Sequence, residues 1–117
     1  MKNVIIIGAN GSLAVYVIEA LKKLSDVHLS LFVRNKNNLK SSVKNGCDII
    51  EGDPMNYNNV KNALAGKDIV YVNLAGNLEA MTRNIVQAMQ ETGVKRIIAI
   101  SSIGIYDTPM KSVLIPY

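Results

Sequence analysis

Apolar and polar residues alternate in blocks along this chain. Five short apolar runs, rich in Val and Ile, are separated by four longer segments with apolar residues at helical spacing. Runs without polar alternation are typical of strands that are buried on both faces of a sheet. The predicted strands are Asn3–Gly8, Val27–Val33, Asp48–Glu51, Ile69–Leu74 and Arg96–Ser101.

The four segments between these runs predict helices, at Ser12–Leu24, about Lys36–Asn45, about Tyr57–Ala65 and about Leu78–Thr92. Each carries an apolar stripe that is expected to face the sheet. The stripes consist of Leu13, Val17, Leu21 and Leu24 in the first helix, Leu39 and Val43 in the second, Val60 and Leu64 in the third, and Met81, Ile85, Ala88 and Met89 in the fourth.

Strand–helix alternation with short connections predicts an α/β fold built on a doubly wound parallel sheet. Right-handed crossovers with helices on both faces give three αβα layers and the strand order 3-2-1-4-5. Residues 1–117 are expected to form a single domain. The tail from Gly104 to Tyr117 shows no clear period, and we expect it to be a loop with a short apolar end.

Composition excludes several classes of function. The 117 residues are 49% hydrophobic and 19% charged, which indicates a globular protein. The net charge of +4 is spread over scattered Lys and Arg residues, so no nucleic-acid surface is predicted. No apolar stretch is long enough for a membrane span. The single cysteine, Cys47, opens an apolar run and indicates a small buried side chain in a reducing, cytoplasmic environment.

The first strand ends in a glycine turn that leads into the first helix. Gly8 permits the tight turn, Gly11 lets a phosphate approach the backbone, and Ala14 permits close packing of helix on strand. A helix start of this kind directs free N–H groups and the positive end of its dipole at a pyrophosphate. The dinucleotide-binding residues predicted here are Gly8, Asn10, Gly11, Ser12 and Leu13; the alternative is an ordinary turn.

The end of the second strand bears on the choice of cofactor. An acidic residue there would hold the ribose hydroxyls of NAD, but Arg34 occupies the position and Lys36 follows it. A guanidinium suits a 2′-phosphate, so we expect NADP, with NAD as a possibility. The alternative is that Arg34 is one of many surface cations.

The ends of the third, fourth and fifth strands supply further candidates. Asp53 is expected to accept the adenine amino group while its backbone N–H reaches a ring nitrogen; the alternative is helix capping by Asp53 or Asn56. Small residues after the fourth strand let a cofactor lie against the backbone; the alternative is a helix-entry turn. These small residues are Ala75 and Gly76, and Leu74, the last residue of the predicted strand, is included with them as cofactor-binding. Ser102 is expected to hydrogen-bond a substrate, or else to be a polar strand terminus.

Together these motifs resemble the atypical and extended short-chain dehydrogenase/reductases, especially the NmrA-like NAD(P)H-binding group, from Met1 to about Thr108. The resemblance implies a Rossmann fold. It also implies that the glycine turn and Arg34 bind the pyrophosphate and the adenosine phosphate, and that Asp53 contacts adenine. Ala75 and Gly76 would line the cofactor ribose, and Ser102 would face the substrate.

The chain also departs from this family. Active members place a Tyr-x-x-x-Lys pair two dozen or so residues after the serine, beyond Tyr117. Tyr106 and Lys111 are five apart, one too many for that motif, so Tyr106 is assigned to the loop after Ser102. Ser102 and Tyr106 are the candidate catalytic residues. The substrate-binding part of the family would follow residue 117.

Three functions follow from the resemblance. The first is an NADP-dependent oxidoreductase that transfers hydride between the nicotinamide and a small carbonyl compound. The second is a non-catalytic module that senses or sequesters NADP(H). The third is a fragment of a nucleotide-sugar epimerase or dehydratase.

The fifth strand raises the question of partners. Its apolar residues Ile97–Ile100 would lie at an open sheet edge, which promotes association. We expect either a homodimer through this edge or cover by Val113–Tyr117.

Overall fold

A computed structural model describes residues 2–8, 14–39, 45–72, 78–101 and 104–109. Three helices and a single 3-10 turn, Lys36–Asn38, accompany a six-stranded sheet in these ranges. The helices are α1 (Ala14–Lys22), α2 (Tyr57–Leu64) and α3 (Leu78–Thr92). The strands are β1 (Lys2–Ile7), β2 (Val27–Val33), β3 (Asp48–Glu51), β4 (Ile69–Val72), β5 (Arg96–Ser101) and β6 (Gly104–Pro109).

The sheet has the order β3-β2-β1-β4-β5-β6. Its first five strands are parallel, with Ile5 of β1 opposite Ser30 of β2 and Val70 of β4. The predicted order 3-2-1-4-5 is therefore confirmed. All five parallel strands end at one edge of the sheet, which is where ligands bind in such folds.

Strand β6 corrects the expectation of a loop from Gly104 onward. It runs antiparallel to β5, with Gly104 opposite Ser101 and Pro109 opposite Arg96. Tyr106 therefore lies in a strand, opposite Ala99 in the register, and not in a loop. The physical reason is that β5 would otherwise expose its backbone N–H and C=O groups along one edge, and the following residues pair with them. Residues 113–117 lie outside the described ranges.

Both faces of the sheet are buried, which explains the unbroken apolar runs. Ile5 and Ile7 of β1 pack on one face with α2 and α3, in a core that includes Phe32 and Met89. Val4 and Ile6 alternate to the other face. There they join α1 through a second core that includes Ala14, Ile18, Leu29 and Leu31.

Two helices differ from the prediction. In α1 the fully buried residues are Ala14 and Ile18, while Leu24 lies beyond the helix and is 50% exposed. The predicted second helix begins as one 3-10 turn that Asn35 caps, and Leu39 then takes an extended conformation. Leu39 is nevertheless buried, as predicted. Val43 lies outside the described residues, as does Leu13 of the α1 stripe.

Helices α2 and α3 follow the prediction closely. All the apolar stripe residues predicted for them are buried, namely Val60, Leu64, Met81, Ile85, Ala88 and Met89. In the part of the chain that the structure describes, no helix has the length and apolar character to cross a membrane.

Candidate functional site

The carboxyl edge of the parallel sheet brings together three of the predicted site residues. Gly8 follows β1, Arg34 follows β2, and Asp53 comes two residues after the end of β3. The remaining predicted cofactor residues and Ser102 lie outside the described residues, so their roles stay predictions. They are Asn10, Gly11, Ser12, Leu13, Leu74, Ala75 and Gly76. The side chain of Tyr106 is likewise not described.

Gly8 makes the turn that the glycine pattern predicts. Its φ of 86° lies in the left-handed region, where a side chain would strain the backbone. At the other end of the pattern, Ala14 is fully buried against the sheet, as expected for close packing of helix on strand. The first turn of α1, as described, carries no acidic residue that would repel a phosphate. These features fit a dinucleotide.

Arg34 and Asp53 form a loose ion pair across the ends of β2 and β3. Arg34 Nη2 lies 3.7 Å from Asp53 Oδ1, and the side chains are 63% and 54% exposed. Exposed pairs of this kind contribute little stability. The guanidinium therefore faces solvent beside a weakly held partner, and an anionic ligand can compete for it.

The backbone after Arg34 is tied to β3 by a second carboxylate. Lys36 donates its backbone N–H to Glu51 Oε2 at 3.1 Å. Asn35 in turn accepts the Asn37 N–H at 3.0 Å. The turn that carries Arg34 is therefore fixed on both sides of the arginine, since Gly52 also donates its N–H to the Val33 carbonyl at 2.9 Å.

The structure decides between the two capping residues. Asn56 is the N-cap of α2, where its side chain accepts the Asn59 N–H at 3.1 Å. Asp53 instead closes a turn, because its Oδ1 accepts the Met55 N–H at 2.9 Å.

The backbone N–H of Asp53, which was expected to reach a ring nitrogen of adenine, has a protein partner in this structure. That N–H donates to Asn59 Oδ1 at 3.0 Å, and Pro54, the next residue, has no N–H. The carboxylate of Asp53 is the group left to meet a ligand.

Asn59 also lies at this edge, which the sequence did not predict, and the structure explains why residue 52 is a glycine. A Cβ on Gly52 would lie 2.8 Å from Phe32 Cζ and 3.2 Å from Asn59 Cβ, so only glycine fits between them. The available signal was a second asparagine in the first turn of a helix that Asn56 already caps. An amide in that place is free to bind the preceding loop.

The described residues outside this edge offer no second chemical centre. No group of three or more His, Cys, Asp or Glu residues among them has the geometry of a metal site. His28 and Asp48 pair at 2.7 Å near the amino ends of their strands, away from the candidate edge. Burial raises the pKa of the Cys47 thiol, which therefore stays protonated and is a poor nucleophile.

A Tyr-x-x-x-Lys spacing does occur within α2, at Tyr57 and Lys61, but it is structural. The Tyr57 hydroxyl is buried beside the Glu91 carboxylate of α3. Burial and the neighbouring Glu91 carboxylate raise the pKa of Tyr57 to about 12. Lys61 Nζ contacts Glu91 Oε2 at 3.0 Å. The raised pKa of Tyr57 is opposite to the lowered pKa that a catalytic tyrosine needs.

The parallel fold, the glycine turn at Gly8 and the exposed guanidinium of Arg34 together define a Rossmann-type protein with a dinucleotide-binding edge. The model of the NAD(P)H-binding family matches residues 8–115. The chain therefore belongs to the NAD(P)H-binding family. No protein of curated function matches it.

Solved structures agree with this assignment. The chain is 37% identical to a Rossmann-fold NAD(P)-binding family protein from Shigella flexneri, with a TM-score of 0.78 over 83% of this chain and 50% of that one. It is 25% identical to a wide-type short-chain dehydrogenase/reductase from Veillonella parvula in complex with NADP, with a TM-score of 0.75 over 86% of this chain and 47% of that one.

A third similar structure is the NADPH-dependent quinone oxidoreductase QOR2 from Escherichia coli, complexed with NADPH. The identity is 26% and the TM-score 0.73, over 82% of this chain and 35% of that one. The present chain spans half or less of the length of these three proteins.

Proposed function

We propose that this chain binds NADP(H) at the carboxyl edge of its sheet, and that it is the cofactor-binding part of an oxidoreductase of the short-chain reductase type. The observation that carries the proposal is the half-exposed Arg34 guanidinium at the end of β2, where an NAD-binding protein would hold an acidic residue. The NADP and NADPH bound to two of the similar proteins support the same choice.

Different residues of this edge would bind different parts of the cofactor. The turn at Gly8 and the start of α1 would bind the pyrophosphate, Arg34 the 2′-phosphate, and the Asp53 carboxylate the adenine amino group. When bound, the nicotinamide supplies or accepts a hydride, and the proposed substrate is a small carbonyl compound. Ser102 would orient that substrate. The single cysteine of the sequence supports a reducing, cytoplasmic location.

Charge reversal at Arg34 tests the assignment of the 2′-phosphate. R34E should weaken NADPH binding by about ten- to a hundred-fold, because a charge-assisted contact becomes a repulsion, while NADH binding changes little. The matched control is K95E, an equal change in charge at the amino end of β5. Calorimetric titration of both variants gives the ratio of the two dissociation constants. An NADPH-to-NADH ratio in R34E equal to that of the wild type would refute the role of Arg34.

A non-catalytic NADP(H) sensor is the second candidate. It rests on the same cofactor edge, because the turn at Gly8 and the exposed Arg34 guanidinium would hold NADP(H) whether or not a substrate is reduced. Incubation with NADPH and a panel of quinones, flavins and aldehydes separates the two functions. NADPH oxidation with any of these acceptors supports the oxidoreductase, whereas binding without oxidation supports the sensor.

A further inference from the structure

The structure assigns Asn59 of α2 to the cofactor edge as a positioning residue that acts through Asp53. We propose that the Asn59 side chain holds the backbone of Asp53 in the orientation that presents its carboxylate to the cofactor. This inference rests on the proposed function, because it presumes that the cofactor lies at this edge.

The segment from Gly52 to Asn56 is held at successive residues. Gly52 donates its N–H to the Val33 carbonyl at 2.9 Å, and the Asp53 carbonyl accepts the Asn56 N–H at 2.9 Å. The Pro54 carbonyl accepts Asn84 Nδ2 of α3 at 3.1 Å. The loop is therefore bonded to β2, to the start of α2 and to α3.

Asn59 supplies the bond at the Asp53 N–H itself. The side-chain Oδ1 of Asn59 accepts that N–H at 3.0 Å. The backbone N–H of Asn59 donates to Asn56 Oδ1 at 3.1 Å. The side chain is half-buried, and its Cβ lies 3.2 Å from the position of a Cβ on Gly52. The bond of 3.0 Å is thus the contact that holds the Asn59 amide oxygen on the Asp53 N–H.

The Asp53 carboxylate depends on this backbone because little else holds it. Its side chain is 54% exposed, and its Oδ1 accepts the Met55 N–H and lies 3.7 Å from Arg34. Met55 belongs to the same loop as Asp53, and the contact with Arg34 is long. The orientation of the loop therefore determines where the carboxylate points. Loss of the Asn59 amide would free the Asp53 N–H to bind water and let the loop turn.

The test compares N59A with N62A, which removes an exposed asparagine from the same helix. N59A should weaken the binding of NADPH and of NADH by the same factor of about three to ten, which is the cost of one hydrogen bond. The factor should be the same because Asp53 is proposed to contact the adenine, which both cofactors contain. N62A should bind both like the wild type. Calorimetric titration of the wild type and of both variants measures the dissociation constants for NADPH and NADH. Wild-type affinity in N59A would overturn the inference.

Hydrogen exchange of the Asp53 amide reports the bond directly. The amide should be protected in the wild type and in N59D, which keeps an acceptor oxygen, and should exchange faster in N59A. Equal exchange in N59A and the wild type, or loss of protection in N59D, would contradict the assignment.

A double-mutant cycle separates positioning from a general loss of structure. In a D53A background there is no carboxylate to orient, so N59A should have almost no further effect on NADPH affinity. An N59A effect of the same size in both backgrounds would overturn the inference. A wild-type chain that binds neither cofactor would refute the proposed function and this inference together, whereas normal wild-type binding with an unaffected N59A refutes the inference alone.

Discussion

Gly52 is the residue at which the candidate site meets the core. Its Cα lies so close to the Phe32 ring that a methyl group would come within 2.8 Å of Cζ and 2.9 Å of Cε2. Phe32 is fully buried, and because core side chains are closely packed, displacing its ring costs free energy. The position of Asp53 therefore depends on a contact between a strand end and the interior.

The variant G52A should lower the free energy of unfolding by about 1–3 kcal/mol through overpacking. Chemical denaturation measures the change. F32L in the same background shortens the opposing side chain and should recover part of the loss. A G52A protein as stable as the wild type would show that the close contact carries no cost.

At the scale of residues, the sequence predicted the strand-end positions but not the contacts between them. Gly8, Arg34 and Asp53 lie at one edge because each comes one or two residues after the end of a parallel strand. The positions of the strand ends can be predicted from the sequence pattern. The Asn59 bond and the Phe32–Gly52 contact join residues from different elements. They depend on side-chain orientation in the folded state, which local patterns do not contain.

At the scale of elements, Tyr57 and Lys61 of α2 meet Glu91 of α3 beside the apolar contact of the two helices. The pKa of Tyr57 is raised to about 12 by burial and by the Glu91 carboxylate. The pKa of Glu91 is lowered, first by Tyr57 and then by Lys61. The folded helices therefore favour a neutral tyrosine beside an ionised glutamate.

This arrangement predicts a loss of stability at alkaline pH. The raised folded pKa means that the contribution of Tyr57 is complete below the unfolded pKa near 10 and disappears as the pH rises toward about 12. Denaturation midpoints measured across that range should fall more steeply for the wild type than for Y57F. Y16F, at a tyrosine that is 75% exposed, is the control and should follow the wild type. Identical slopes for Y57F and the wild type would contradict the argument.

Element type was predictable where the period was strong. Helix α3 carries apolar residues at helical spacing over its whole length, and both its ends match the prediction. The segment from Lys36 has only two apolar positions in its stripe, and there the Asn35 cap closes a 3-10 turn instead. Strand β6 has no periodic signal of its own, because its formation depends on the open edge of β5.

At the scale of the whole molecule, β6 alters the predicted association surface. It pairs with the edge of β5 that the homodimer was expected to use, so within the described residues that edge is no longer open. Hydrogen exchange should find the amides of Ile97–Ile100 protected, since β5 lies between two strands. Rapid exchange of the amides of Ile97–Ile100 would refute the pairing of β5 with β6.

The central claim concerns the whole carboxyl edge, where the glycine turn, Arg34 and Asp53 meet. Calorimetric titration of the wild-type chain with NADPH and with NADH tests it most directly. The account predicts one cofactor per chain, with NADPH bound more tightly than NADH because only NADPH offers Arg34 a phosphate. Binding of neither cofactor would contradict it.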